Sequence, residues 1–87
     1  MEELLQKLHI KDTGTYIEDT YTLDIETYDD FAFMYNKLEQ SDMLLKISDE
    51  SYFNMDEAHV VYEYDEYTLT LNGDLNDDVY KLLIKEN

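Results

Sequence analysis

Strict alternation from Val60 to Leu71 leaves this chain few options. Val60, Tyr62 and Tyr64 recur at every second position, and so do Tyr67, Leu69 and Leu71. A period of two means a strand with one buried face and one wet face. With Asp65 and Glu66 at the tip of a hairpin spanning Glu57 to Asp74, Tyr64 faces Tyr67, Tyr62 faces Leu69 and Val60 faces Leu71. All six then share one side, so pattern and register agree. His59, Val61, Glu63, Thr68, Thr70 and Asn72 form the other side. The turn is the weak point, because a two-residue loop favours Asn-Gly or Asp-Gly and Glu66 is a poor fit for φ > 0. A four-residue loop keeps the same register.

The hairpin needs partners. Met1, Leu4, Leu5 and Leu8 follow the i, i+3, i+4, i+7 spacing of a short amphipathic helix. Asp12-Thr13-Gly14 is a turn. Thr15 to Glu26 reverts to period two and is expected to be one long strand. Ile17, Tyr21, Leu23 and Ile25 lie on one face, with Asp19 as an intruder marking a strand end or a bulge. Tyr16, Glu18, Thr20, Thr22, Asp24 and Glu26 lie on the other. Thr27, three residues before Asp30, resembles a capping box for a helix over roughly Tyr28 to Gln40, with Phe31, Met34, Tyr35 and Leu38 inward. Met43, Leu45 and Ile47 alternate as a second strand. Tyr52 and Phe53 fit either a short strand or a loop plug. A final helix is expected from Asn76 to Asn87, with Leu75, Val79, Leu82 and Leu83 on its apolar face. Asp77 and Asp78 sit at its positive end, and Lys81 and Lys85 near its negative end.

The resulting order is α-β-α-β-(β)-β-β-α over a single domain, residues 1–87. The fold class is α+β, a twisted, mainly antiparallel sheet of four to five strands with helices on one face. The uncovered face is expected to be polar and largely acidic.

Composition bears on function through its charge. Asp and Glu number 22 against six Lys and no Arg, for a net charge of −16. Nine Tyr and three Phe argue against disorder, which pairs high charge with few aromatics. A charge of that size opposes compaction and exceeds what solubility requires of a small domain. It disfavours nucleic acid and anionic membrane as direct partners and favours a basic surface or a multivalent cation. Cysteine is absent, the start Met1-Glu2-Glu3 lacks a basic n-region, and no apolar run approaches a membrane span. These features point to a cytoplasmic location.

Catalytic patterns are missing. His9 and His59 have no Ser or Cys at a recognisable motif spacing, and two surface or half-buried histidines account for them. Asp29-Asp30 and Asp77-Asp78 sit at expected helix starts, where capping explains them. Asp74 to Asp78 resembles a calcium loop only superficially, because it lacks the sixth-position Gly and carries Lys85 where the twelfth-position Glu belongs. Neither G-x-x-x-x-G-K nor G-x-G-x-x-G occurs. No enzyme activity, metal or cofactor is expected.

The acid itself remains. Outward residues on a strand recur about every 6.6–6.8 Å, so a row of carboxylates can approximate a row of phosphates. Glu18, Asp24 and Glu26 form one candidate row. Asp49, Glu50, Asp56, Glu57, Glu63, Asp65 and Glu66 supply a second. Tyr16, Tyr52 and Tyr67 add rigid contact area of the kind found at interface hot spots. A merely solvated acidic surface is the competing account.

The strand Tyr16–Glu26 (YIEDTYTLDIE) and the run Asp56–Tyr67 (DEAHVVYEYDEY), about a quarter of the chain, resemble the acidic strands of small phage-encoded DNA mimics. These include anti-CRISPR proteins, uracil-DNA glycosylase inhibitors and anti-restriction proteins. The resemblance is one of charge, size and architecture, since these families share no motif. It implies a non-enzymatic inhibitor that blocks the basic DNA- or RNA-binding site of a nuclease, an anti-CRISPR protein against a CRISPR effector first of all. The alternatives are an immunity protein for a nuclease toxin and an inhibitor of uracil-DNA glycosylase or of a restriction enzyme. The order helix–acidic strand–helix–sheet is similar to the glycosylase inhibitors, from which the expected C-terminal helix departs. The expected contact residues are Tyr16, Glu18, Asp24, Glu26, Asp56, Glu57, Glu63, Asp65, Glu66 and Tyr67.

Overall fold

The structure is a computed structural model that describes all 87 residues. Its elements are α1 (Glu2–Lys7), β1 (Thr15–Ile17), β2 (Thr20–Ile25), α2 (Tyr28–Gln40), β3 (Leu45–Lys46), a 3-10 turn (Ser48–Glu50), β4 (Tyr52–Phe53), β5 (Glu57–Tyr64), β6 (Tyr67–Asp74) and β7 (Val79–Glu86). The seven strands form one antiparallel sheet in the order β1-β2-β7-β6-β5-β3, with β4 also on β5. The fold is α+β, with more strands than the four to five expected.

The hairpin has the expected register: Tyr64 opposite Tyr67, Tyr62 opposite Leu69, Val60 opposite Leu71. Its loop is the two-residue one. Asp65 takes the positive φ of 53°, so Glu66 is spared it. Asp is among the residues that enter this region most readily.

Two expectations fail. The C-terminal segment is strand β7, not a helix, and it fills the slot between β2 and β6. Val79/Leu83 and Lys81/Lys85 are four apart, a spacing that puts residues on one face of a helix and also of a strand. The period that decides is Tyr80, Leu82 and Ile84, all buried. Two neighbouring strands also leave a row of unmet hydrogen bonds that only a strand satisfies. The long strand Thr15–Glu26 is in fact a hairpin, β1–β2, with Ile17 opposite Thr20 around Glu18-Asp19. Asp19 therefore marks a strand end, and Glu18 adopts φ 55°. Because the chain doubles back, Tyr16 lies on the same side as Tyr21, with ring centroids 4.9 Å apart, and Ile17 moves to the opposite, open side.

The covered face is built in rows across the strands. Tyr62, Leu69, Ile84 and Tyr21 form one row; Val60, Leu71, Leu82 and Leu23 the next; Ala58, Gly73, Tyr80 and Ile25 the third. Both helices close over these rows in one core, α1 with Leu4, Leu5 and Leu8, α2 with Phe31, Met34 and Leu38. Thr27 caps α2 as expected, its Oγ1 accepting from the Asp30 amide at 3.1 Å. The small third row makes room for Phe31, which stacks on Tyr80 at 4.8 Å. A Cβ at Gly73 would stand 3.0 Å from the Phe31 ring. Full burial of that ring contributes about 1.5–3 kcal/mol. No helix is long and apolar enough to cross a membrane.

Candidate acidic interface

Every one of the 22 Asp and Glu residues is exposed. Only two are in ion pairs, Glu39 with Lys46 at 3.0 Å and Asp24 with Lys81 at 3.8 Å. Ten of the other 20 gather at the two ends of the strands, because hairpin turns and strand ends are where polar residues sit in an antiparallel sheet.

At one end, two turns and the end of β7 are stitched together. The Glu86 amide donates to Asp19 O at 2.9 Å, and the Asn87 amide to Glu66 O at 2.7 Å. This collects Glu18, Asp19, Asp65, Glu66 and Glu86 from three distant segments. Tyr67 stands among them: burial raises its hydroxyl pKa, and Glu86, Glu66, Asp65 and Glu3 raise it further. Its oxygen accepts from the Met1 nitrogen at 2.9 Å, which docks α1 against the hairpin.

The opposite end carries Asp56, Glu57, Asp74, Asp77 and Asp78. Leu75 N donates to Asp56 O at 2.9 Å, and Asn76 Nδ2 to Asp56 Oδ1 at 3.3 Å. Asp74 Oδ1 turns back to accept from the amides of Asn76 and Asp77 at 3.1 and 3.2 Å. Asp78 accepts from Tyr80 OH at 2.9 Å. No three of these carboxylates converge as cation ligands. Strands of eight residues at about 3.3 Å each place the two ends roughly 25 Å apart.

The ten expected contact residues therefore divide. Glu18, Asp65, Glu66 and Tyr67 meet at the first end, with Glu63 one step inside it on the open face. Asp56 and Glu57 lie at the second end, and Glu26 follows β2 on the same side of the molecule. Asp24 is on the open face and is tied to Lys81. Tyr16 lies on the helix side of edge strand β1 and donates to Asp12 Oδ2 at 3.1 Å. Desolvation, then Asp12, push its hydroxyl pKa up to about 12. The single row Glu18–Asp24–Glu26 does not form, because the chain reverses at Glu18. Sequence reading missed Asp19 and Glu86 as members of the first end; Asp19 is the turn residue whose presence on an apolar face was the available signal.

The open face is not the acidic surface expected. Its rows are Val61–Thr70–Leu83–Thr22–Thr15, Glu63–Thr68–Lys85–Thr20–Ile17, His59–Asn72–Lys81–Asp24 and, at one end, Glu57–Asp74–Val79. Five threonines dominate it, and two of the six lysines sit near its middle. His59 Nδ1 is 2.6 Å from Asn72 Oδ1 and its ring stacks on Tyr52 at 5.5 Å, a half-buried, partnered histidine. His9 is exposed beyond α1. No family model, curated protein or solved structure matches the chain.

Proposed function

We propose that this protein is a non-enzymatic inhibitor that offers carboxylates in place of nucleic-acid phosphates to the basic site of a nuclease or another DNA-processing enzyme. The observation that supports this is the gathering of Glu18, Asp19, Asp65, Glu66 and Glu86 at one end of the sheet, exposed and outside the ion pairs. Arg and Lys that grip phosphates meet acceptor oxygens on a rigid scaffold there, with no DNA to bend or open. Tyr67 contributes a fixed aromatic beside them. β7 is a strand, so the terminal helix that separated this chain from the glycosylase-inhibitor order is gone. CRISPR effectors and uracil-DNA glycosylases are therefore the two target classes to assay side by side.

The test is inhibition of both enzyme classes by the native chain and by two triple variants. Reversing Glu18, Asp65 and Glu66 to Lys is expected to weaken inhibition about 100-fold, some 2.7 kcal/mol. Reversing Asp56, Glu57 and Asp77 at the other end changes it only a few-fold, through long-range steering. Affinity falls steeply between about 50 and 500 mM salt, and duplex DNA competes. Salt-insensitive binding that DNA does not displace would overturn the proposal.

A further inference from the structure

In a chain about a quarter of which is acid, one hollow is lined by two lysines and no carboxylate. It lies between the end of α1 and the outer side of α2, is open to solvent and has a volume of about 470 Å³, within the range of small-molecule sites. Phe33, Asn36, Lys37 and Gln40 line one wall at i, i+3, i+4 and i+7, a second face of α2 beside its buried stripe. Lys7 and His9 line the other. Phe33 is 67 % exposed, although an aromatic ring of its size is normally covered. Lys37 Nζ sits 5.0 Å from that ring's centre and donates to His9 O at 2.7 Å. Lys7 Nζ donates to Tyr64 OH at 3.2 Å. Each ammonium has three N–H groups, so each keeps donors for a ligand. His9 holds φ 57°, a conformation that costs about 1–2 kcal/mol and carries its carbonyl to Lys37.

An exposed aromatic ring, two ammonium groups and two side-chain amides suit a planar ligand with a small anionic group. We propose that this hollow binds a nucleoside monophosphate, with the phosphate on Lys7 and Lys37, the base on the Phe33 ring, and the base edge on Asn36 and Gln40. The monophosphate fits better than a longer polyphosphate for an electrostatic reason. Glu3 and Asp65 act on Lys7 from nearby, and the adjoining groove on the β2 side carries Asp24, Glu26 and Asp30. Additional negative charge would meet these carboxylates.

Amide chemical shifts of the full chain, titrated separately with AMP, adenosine and inorganic phosphate, test the assignment. AMP is expected to shift Phe33, Asn36, Lys37 and Gln40 saturably, with a Kd of about 1 mM or below, and each fragment to bind at least about tenfold more weakly. Phe33→Ala, at an exposed position, and Lys7→Ala are each expected to weaken AMP about tenfold while leaving the thermal midpoint near that of the native chain. The Glu18/Asp65/Glu66 triple Lys variant retains AMP binding, which separates this site from the inhibitory one. Any of three results would overturn the assignment: no saturable shift at about 10 mM AMP, unchanged affinity in Phe33→Ala, or inorganic phosphate binding as well as AMP.

Discussion

Glu39 shows how one residue's setting differs from that of the other acids. It is the carboxylate that bridges helix and sheet: Oε2 accepts from the buried Tyr62 hydroxyl at 2.6 Å, and Oε1 from Lys46 Nζ at 3.0 Å. Burial alone would raise its pKa; the donors Tyr62, Lys46 and Tyr35 outweigh burial and lower it. Tyr62 moves the other way, raised by burial and by Glu39. A depressed carboxylate stabilises the fold well above its ordinary value of 4.5, and this contribution is lost as pH falls through the lower folded value. Glu39→Gln is therefore expected to cost about 1 kcal/mol at pH 7, discounted for its 29 % side-chain exposure, and less near pH 3. Urea unfolding at both pH values checks this, with Asp42→Asn correcting for the loss of one negative charge. A deficit of equal size at both would refute it. Gly14 is constrained by contact: its amide donates to Tyr21 OH at 3.0 Å, and a Cβ there would lie 2.4 Å from Thr22 O. The sequence marked it only as a turn glycine.

At the scale of elements, the three hairpins share one device. Glu18, Asp65 and Asp78 each hold φ between 53° and 55° in the β1–β2, β5–β6 and β6–β7 connections. Turns of this kind ordinarily use Gly or Asn. With no Pro and only Gly14 and Gly73 in the chain, acidic residues occupy the strained positions instead. Glu18→Gly is expected to raise stability by about 0.5–1 kcal/mol, the strain relieved less the entropy that glycine adds to the unfolded chain. Glu18→Val, whose branched side chain fits this conformation worst, should lower it. Urea midpoints of the two variants read the difference, and an unchanged or lowered midpoint for Glu18→Gly would contradict it. The helix mistaken at β7 and the strand mistaken at β1–β2 have a common origin. Short segments carry too few residues to separate the two periods, and a two-residue reversal leaves an alternating pattern intact along the sequence while exchanging its faces in space.

For the whole molecule, 20 carboxylates outside ion pairs on a body of 32 × 27 × 22 Å must repel one another. Adding salt from about 20 to 300 mM should therefore raise the thermal midpoint by several degrees, because a Debye length near 8 Å at 150 mM is shorter than the roughly 25 Å between the two ends and comparable to spacings within each. A midpoint that is flat or falls with sodium chloride would refute this. The sequence by itself determined the α+β class, the Val60–Leu71 hairpin and its register, the amphipathic α1, and the capped α2 with Phe31, Met34 and Leu38 inward. Each depends on residues within one or two turns or strands of each other, where period and capping chemistry act locally. It also determined the charge. Tertiary structure alone decided that Val79–Glu86 is the strand between β2 and β6, that the acid collects at the ends of the sheet, and that the open face is rich in threonine. Those outcomes depend on pairing across the chain: Lys85 of the last strand lies opposite Thr68, 17 positions before it, and Thr20, 65 positions before it, and no local pattern encodes which unpaired edge a segment will meet.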